Sequence, residues 1–225
     1  MSEKTESMSP LHVSPQPSAR IVKSDRTRAA ILNAALDFLW THPFRDMTVA
    51  SLMESTGLSR SAFYQYFSDL QEVMETLLTM LQEEIFTAVE PWLAGVGDPV
   101  ALLNEMLTGL VDVCHARGPF LRAITDAASI DPRLETAWVE FLGGFDDAAT
   151  ARIEADQKQG LIPDFEARPV AFAINRLDAY TLLQAFGQHP RKQPDPVRDA
   201  LARIWISTLY GTQWMEKKSS NLVRT

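Results

Sequence analysis

The stretch TGLSRSAFYQYF (residues 56–67) places four aromatic rings among polar side chains. In a helix, Phe63 and Phe67 lie four positions apart on one face, whereas Ser61 and Gln65 share the opposite face. The two phenylalanines are therefore expected to pack in a core. Their expected partners are Phe38, Leu52 and Leu58. The other face of this short helix is left free to form hydrogen bonds with something outside the core.

Two short helices joined by a glycine turn contain this stretch. Thr48 is suited to cap a helix over residues 49–56, and Gly57 is suited to end it. Ser59 then caps a third helix over residues 60–67, and a longer helix precedes both. Two helices of about eight residues joined by such a turn are typical of a helix-turn-helix, whose second helix enters the major groove of DNA.

The polar face of the third helix is suited to nucleic acid. Arg60 and the backbone N–H groups after Ser59 can bind a phosphate or the edge of a guanine. Tyr64 and Tyr66 lie on the flanks, where a phenol can rest on protein and reach a phosphate. An amphipathic surface helix with both tyrosines buried remains the alternative for these two residues.

The rest of the chain is also predicted to be helical. Its 225 residues are 46% hydrophobic and 22% charged, which suits a globular protein of one or two domains. Apolar residues recur at three- and four-residue spacing and no segment alternates with period two, so the predicted fold class is all-α with nine helices. The first helix begins at Arg26 and ends near residues 41–43. Asp69 opens a fourth, which ends between Pro91 and Gly97, and five more span residues 99–115, 119–128, 132–159, 167–187 and 196–213.

Charge is distributed unevenly along the chain. The net charge of −8 argues at first against a nucleic-acid partner. Residues 20–68, however, hold six basic and four acidic residues, whereas residues 69–225 carry a net charge of −9. The acidity therefore belongs to the later part, and the first part can still bind phosphate.

Several classes of protein are not indicated. No apolar run is long enough to span a membrane and residues 1–20 lack the apolar segment of a secretory signal, so we expect a cytoplasmic protein without a membrane partner. The single cysteine, Cys114, excludes an intrachain disulfide and leaves no cluster for a metal. Because a glycine-rich phosphate loop, HExxH and GxSxG are all absent from the sequence, neither an enzyme nor a cofactor is expected.

Residues 48–78, TVASLMESTGLSRSAFYQYFSDLQEVMETLL, resemble the DNA-binding signature of the tetracycline-repressor (TetR) family. The shared pattern is an initial Thr, apolar residues at Val49 and Leu52, a Gly-apolar-Ser turn, a basic residue and the series aromatic-Tyr-x-Tyr-Phe. With the preceding helix, the resemblance covers residues 26–80. It implies that the residues facing DNA are Thr48, Ser59, Arg60, Ser61, Tyr64, Gln65 and Tyr66.

Two further features bear on this resemblance. The basic segment ARIVKSDRTR (residues 19–28) is expected to act as an arm along the DNA backbone or in the minor groove. Many family members carry a Lys directly after the final Phe, whereas Ser68 and Asp69 follow Phe67 here, so one phosphate contact is absent. A helical interaction module that has lost DNA binding therefore stays open as the alternative.

The later part is predicted to dimerise. Residues 169–186 are apolar almost all round, as in a helix enclosed on several sides, and residues 196–211 carry two apolar faces. These faces are Leu201, Ile204 and Leu209 on one side and Ile206 with Tyr210 on the other. Because one face packs on its own subunit and the other needs a partner, we expect a homodimer through helices eight and nine.

The enclosed eighth helix also carries two polar residues on one side. Asn175 and Asp178 are three positions apart, and a buried polar group is destabilising unless it is paired. We expect them to face a cavity, a ligand or a partner such as Arg122 or Arg176. In the alternative, Asp178 forms an ion pair and Asn175 caps a neighbouring backbone.

FAINRLDAYTLLQAFG and LARIWISTLYG resemble the closing helices of the mycobacterial ethionamide-resistance regulator (EthR) subgroup. This resemblance implies an elongated, aromatic-lined pocket for a small, largely apolar effector. Its candidate residues are Leu103, Leu107, Leu110, Cys114, Trp138, Leu142, Phe145, Asn175, Asp178, Leu183 and Trp205.

The combined expectation is a homodimeric repressor. It binds a palindromic double-stranded operator and is released when the effector enters the pocket. The predicted domains are a flexible tail (1–19), a helix-turn-helix domain (20–68), a helical effector-binding and dimerisation domain (69–215) and a C-terminal tail (216–225).

Overall fold

The structure, a computed structural model, describes the backbone of residues 19–211 and the side chains of residues 24–211. Within this range the chain forms nine α-helices and one short 3-10 turn, with no β-strand, which confirms the all-α prediction. The helices are α1 (Ala19–Leu39), α2 (Val49–Thr56), α3 (Arg60–Phe63), α4 (Leu70–Ala94), α5 (Pro99–Ala116), α6 (Gly118–Ala128), α7 (Pro132–Lys158), α8 (Ala167–Phe186) and α9 (Pro194–Leu209), and the 3-10 turn (Phe44–Asp46) lies between α1 and α2.

The first three helices form a head with the predicted caps. Thr48 caps α2 by accepting a hydrogen bond from the Ser51 N–H at 3.0 Å, and Ser51 accepts one in return from the Thr48 N–H. Gly57 ends α2 with φ 68°, in the left-handed region that a residue without Cβ adopts at no steric cost. The tight turn that follows brings α3 against α2, because Ser59 caps α3 only two residues later.

Two boundary predictions in the head were wrong. The first helix begins at Ala19 instead of Arg26, so the segment predicted as an arm is helical in its backbone. The third helix ends at Phe63 instead of residue 67, because the Gln65 and Tyr66 N–H groups bond three residues back to Ala62 and Phe63. The chain after Phe63 is therefore a tightened turn.

Helix α4 joins the head to the remaining helices. Asp69 caps it by accepting from the Glu72 N–H at 2.8 Å, and it ends before Gly95, whose φ is 70°. Its 25 residues, at about 1.5 Å each, span roughly 37 Å. One stripe of α4 is buried along this whole length, from Val73 to Trp92, so the helix packs both on the head and deep in the second part.

The later helices pack around α4. Asp98 and Asp131 cap α5 and α7 with proline at the first helical position. The main neighbours are α4 with α5, α4 with α7, α7 with α8, and α5 with α9. Their buried side chains form one continuous cluster with those of the head, to which Phe63 and Phe67 belong as predicted.

The outward face of α9 differs from the prediction. Leu201, Ile206, Leu209 and Tyr210 are all buried within the same chain, and among the large apolar residues of α9 only Ile204 is exposed. The helix lies against α5 and α8 more deeply than its pattern of two faces indicates.

Candidate DNA-recognition surface and effector cavity

The side chains predicted to face DNA lie on one continuous segment of the head. Six of them are exposed, and Tyr66 is half-buried against the core. Tyr64 is 53% exposed and touches Phe63 edge to face, with 5.3 Å between the ring centroids. The two tyrosines thus differ in exposure, because the chain turns after Phe63 and directs Tyr64 towards solvent and Tyr66 towards the core.

The exposed polar groups of this surface are partly engaged with each other. The Ser59 and Ser61 hydroxyls are 2.9 Å apart, and the Thr48 hydroxyl donates to the Ser51 hydroxyl at 3.0 Å. Arg60 has no hydrogen bond or ion pair among the described residues, so its guanidinium is available to an anion. The arrangement offers one free cation beside several hydroxyls, which suits a polyanionic surface.

Arg28, the last residue of the segment predicted as an arm, already has partners within the protein. Its Nη2 donates to the Thr76 hydroxyl at 3.4 Å, and its guanidinium lies 5.3 Å from the centre of the Phe67 ring. These contacts hold α1 against the start of α4. The side chains of Arg20 and Lys23, in the same segment, lie outside the described residues.

The second candidate site is a cavity of about 90 Å³ among α4, α5, α6, α7, α8 and α9. Nine of the eleven predicted effector-contacting residues line it: Leu110, Cys114, Trp138, Leu142, Phe145, Asn175, Asp178, Leu183 and Trp205. Leu103 and Leu107 do not line it; both are completely buried in the core, about two turns and one turn before Leu110 on α5.

A large part of the cavity wall was missed by the sequence prediction. The residues missed are Ile85, Phe86, Val89, Trp92 and Leu93 of α4, Met106 of α5, Leu121 and Thr125 of α6, Phe141, Ala148 and Ala149 of α7, and Ala179 and Leu182 of α8. The stripe on α4 was visible as a hydrophobic repeat, but such a repeat does not tell a core residue from one that borders a void.

The aromatic side chains of the cavity contact one another. Phe86 stacks on Phe145 with centroids 4.7 Å apart, and Trp92 meets Trp205 edge to face at 5.4 Å. A Cβ at Gly144 would lie 2.8 Å from Nε2 of Gln82, at the end of a flexible side chain that can move aside. A Cβ at Gly143 would meet nothing within 4 Å, so packing does not explain that glycine.

The structure corrects the partners expected for Asn175 and Asp178. Asn175 donates its amide to Asp146 at 2.9 Å, and Arg176 also binds Asp146, at 2.9 and 3.2 Å. Arg122 pairs with Asp126 instead. Neither arginine therefore pairs with Asp178, whose Oδ2 accepts from the Trp205 indole N–H at 2.9 Å.

Asp178 stands out among the buried charged groups. Its side chain is 5% exposed, and its Oδ1 has no hydrogen-bond partner among the described residues. Burial raises the pKa of Asp178 to about 7, an effect that the Trp205 hydrogen bond only partly opposes. Burial likewise raises the pKa of the nearby Cys114 thiol to about 12, so Cys114 is neutral at ordinary pH.

Exposed apolar side chains are concentrated on α8. Phe172, Leu177 and Tyr180 recur at three- to five-residue spacing, and Tyr180 is 67% exposed. Ile204 is the exposed large apolar residue of α9, which packs against α8. Exposed apolar side chains grouped on neighbouring helices are candidates for an interaction site.

The described residues contain neither a metal-binding cluster nor a membrane-spanning helix. Between residues 19 and 211, no group of His, Cys, Asp and Glu side chains is arranged to hold a metal ion. None of the helices in that same range is both long and apolar enough to cross a bilayer.

The head with its exposed polar turn, joined by α4 to a helical part with a cavity, defines the class of helix-turn-helix transcriptional regulators. Residues 31–77 match the family described as "Bacterial regulatory proteins, tetR family", and residues 103–211 match "Transcriptional regulator EthR, C-terminal domain". The chain belongs to the TetR family and is related to EthR. It is a DNA-binding regulator and not an enzyme.

Individual relatives agree with this assignment. The HTH-type transcriptional regulator EthR of Mycolicibacterium smegmatis is 27% identical over 198 residues, which cover 87% of this chain and 91% of that protein. EthR of Mycobacterium tuberculosis is 27% identical over 192 residues, covering 83% and 88%. The crystal structure of a TetR-family regulator from Syntrophomonas wolfei has the same fold, with a TM-score of 0.71 at 14% identity over 82% of this chain and 95% of that one.

Proposed function

We propose that this protein is a homodimeric repressor that leaves a palindromic operator when a small, largely apolar molecule enters the cavity. The observation that carries the proposal is the position of α4. Its first residue, Leu70, lies three positions after Phe67 of the head, and five residues of its last three turns line the cavity. One rigid element therefore contacts both the site that reads DNA and the site that holds the effector.

The size of the cavity supports a coupling between the two sites. A volume of about 90 Å³ is well below the range of about 300–1,000 Å³ typical of ligand pockets. An effector larger than a few atoms fits only if the walls separate, and α4 forms one of these walls. Because such an effector binds the widened state better, it shifts the equilibrium towards a different position of the head.

The exposed face of α8 supports a dimer. Phe172, Leu177, Tyr180 and Ile204 would lose their contact with water if two copies packed through α8 and α9. Two heads held in this way would meet successive major grooves about 34 Å apart, which a palindromic operator presents. Thr48, Ser59, Arg60, Ser61, Tyr64, Gln65 and Tyr66 are the proposed contact residues on each half-site.

Operator binding is tested with a duplex selected by the full-length protein from a random DNA library. Fluorescence anisotropy should show that Arg60→Ala and Gln65→Ala each weaken binding at least tenfold. Lys158→Ala, which removes an exposed cation from the far end of α7, should leave the affinity unchanged. If no duplex is enriched over the starting library, the proposal of a repressor that binds a palindromic operator is wrong.

The dimer is tested by light scattering on the same samples. Tyr180→Glu places a charge in the centre of the exposed face of α8 and should yield a monomer that binds the operator weakly. Glu140→Gln, an exposed change on α7, serves as the control. A Tyr180→Glu protein that remains dimeric would place the interface elsewhere.

A further inference from the structure

The cavity carries a single ionisable carboxyl group and no basic side chain. Among the described residues that line it, Asp178 is the only carboxylic acid, and Lys, Arg and His are all missing. Other buried acids of the chain have cations: Asp146 binds Arg176, and Asp156 binds Arg152 at 2.7 Å. Asp178 therefore differs from them in having no charged partner among the residues that the structure describes.

One oxygen of this carboxyl group is left for a ligand. Oδ2 accepts from Trp205, whereas Oδ1 is buried and has no hydrogen-bond partner within the described part of the chain. The neighbouring polar groups of the wall donate elsewhere: Asn175 to Asp146, and Thr125 to the Leu121 carbonyl at 2.7 Å. A donor that enters the cavity would therefore find an acceptor in Asp178.

The remaining wall is suited to a positive charge. The rings of Phe86, Trp92, Trp138, Phe141, Phe145 and Trp205 line the cavity. The faces of aromatic rings attract cations, and the attraction is stronger in a site without water. A carboxyl group among aromatic rings is therefore complementary to an ammonium group on an apolar body, and it repels a carboxylate.

We propose that the cavity selects apolar amines, whose ammonium group is held by Oδ1 of Asp178 and by the surrounding aromatic rings. This inference rests on the proposed effector cavity and names the chemical class of its ligand. The high pKa of Asp178 agrees with it, because that value reflects a buried acid without a cation, which a bound amine would supply.

The test compares three molecules that share one aromatic ring, namely benzylamine, toluene and benzoate. Isothermal titration calorimetry on the full-length protein at pH 7.5 should show benzylamine binding at least tenfold tighter than toluene, and benzoate binding more weakly than toluene. Asp178→Asn keeps the shape of the side chain and removes its charge, so the ratio of the benzylamine and toluene affinities should fall at least fivefold. Asp147→Asn removes an equal charge from an exposed position of α7 and should leave this ratio unchanged.

The outcomes separate this inference from the proposed function. If toluene binds and benzylamine binds no better, the cavity stands and the selection for amines is wrong. The same conclusion follows if Asp178→Asn leaves the affinity ratio unchanged. If neither molecule binds the wild-type protein, the proposal that this cavity binds the effector is wrong, and so is the inference that it selects amines. The comparison of the three probes on the wild-type protein stands even if Asp178→Asn fails to fold.

Discussion

Arg133, in the first turn of α7, binds Asp69, the N-cap residue of α4, with 2.9 Å between Nη1 and Oδ2. The same guanidinium binds Glu75 one turn further along α4. These carboxylates, Glu75 foremost, raise the pKa of Arg133 above its ordinary value. Gln71 adds a hydrogen bond to Asp131 at 3.1 Å, so the start of α4 is attached to the start of α7 where the head meets the second part.

We expect Arg133→Ala to weaken operator binding about three- to tenfold while changing stability little. The ion pairs are partly exposed and contribute about 1 kcal/mol or less to the free energy of unfolding. They do, however, restrain α4, and a freer head must be ordered when it binds DNA. Anisotropy with the selected operator measures the first effect, and urea denaturation measures the second. Arg122→Ala is the control, because Arg122 pairs within α6. Equal operator affinities of the two variants would show that the contact between the start of α4 and the start of α7 has no role in DNA binding.

Operator binding should depend steeply on salt, and Arg60 should account for part of that dependence. If a dimer neutralises about six to ten phosphates, log K falls with log salt with a slope of roughly −5 to −9. Arg60→Ala removes one free cation from each head and should make the slope shallower by about two. The measurement is a series of anisotropy titrations between low and moderate salt. An unchanged slope would show that Arg60 does not neutralise a phosphate of the DNA backbone.

The stability of the protein should fall as pH rises from about 4 to about 7 because of Asp178. Its pKa in the folded protein is about 7, above its value in the unfolded chain, so the folded state binds more protons in this window. Asp178→Asn removes this dependence. The free energy of unfolding of the variant, relative to that of the wild type, should therefore rise by roughly 4 kcal/mol at most between about pH 4 and about pH 7, and then level off. Cys114 stays neutral throughout and does not contribute.

Urea denaturation at a series of pH values measures this effect. Asp147→Asn is the matched control, because Asp147 is exposed and lies outside the cavity. Its curve should run parallel to that of the wild type. A parallel curve for Asp178→Asn as well would mean that Asp178 is not buried as an unpaired acid in solution.

Two glycines with equal φ angles should respond differently to the same substitution. Gly95 and Gly160 both have φ 70°, but a Cβ at Gly95 would collide with the Arg152 guanidinium, whereas one at Gly160 meets nothing within 4 Å. Gly160→Ala should therefore lower the free energy of unfolding by only about 1–2 kcal/mol, from backbone strain. Gly95→Ala should lower it by about 3–5 kcal/mol, because it also displaces Arg152 from its buried partner Asp156.

The measurement is the free energy of unfolding from urea titrations of the two variants. Equal losses would show that Arg152 moves aside without leaving Asp156. A larger loss at Gly95 would identify the buried network below it, in which Tyr210 donates to Asp156 at 2.8 Å, as a substantial part of the stability.

Much of the fold could be predicted from local chemistry. Thr48, Asp69, Asp98 and Asp131 each begin a helix, because a short polar side chain next to a free N–H is sufficient to cap it. Gly57 ends α2 because the required φ angle disfavours other residues. Two other boundaries were missed: α1 begins at Ala19, seven residues before the predicted start, and α3 stops at Phe63 in the middle of a helical pattern.

The candidate sites could be predicted less completely from local signals in the sequence. Periodicity placed Phe63 inside and Ser61 outside, because the geometry of a helix determines which residues share a face. It did not distinguish Tyr64 from Tyr66, since the turn after Phe63 is stabilised by packing on the core. It also did not distinguish Leu103 and Leu107, which are solid core, from Leu110, which borders the cavity, although all three occupy one stripe of α5.

The sequence by itself therefore determined the class of the fold, the caps of most helices and the surface that the head offers to DNA, because these follow from interactions between residues a few positions apart. Only the tertiary structure decided which partner each buried charge received. Asn175 and Arg176 lie close to Asp178 in the chain, yet both bind Asp146 on α7, whereas Asp178 accepts a hydrogen bond from the Trp205 indole. Such pairings depend on how whole helices approach one another, and the spacing of residues along a single helix does not determine that approach.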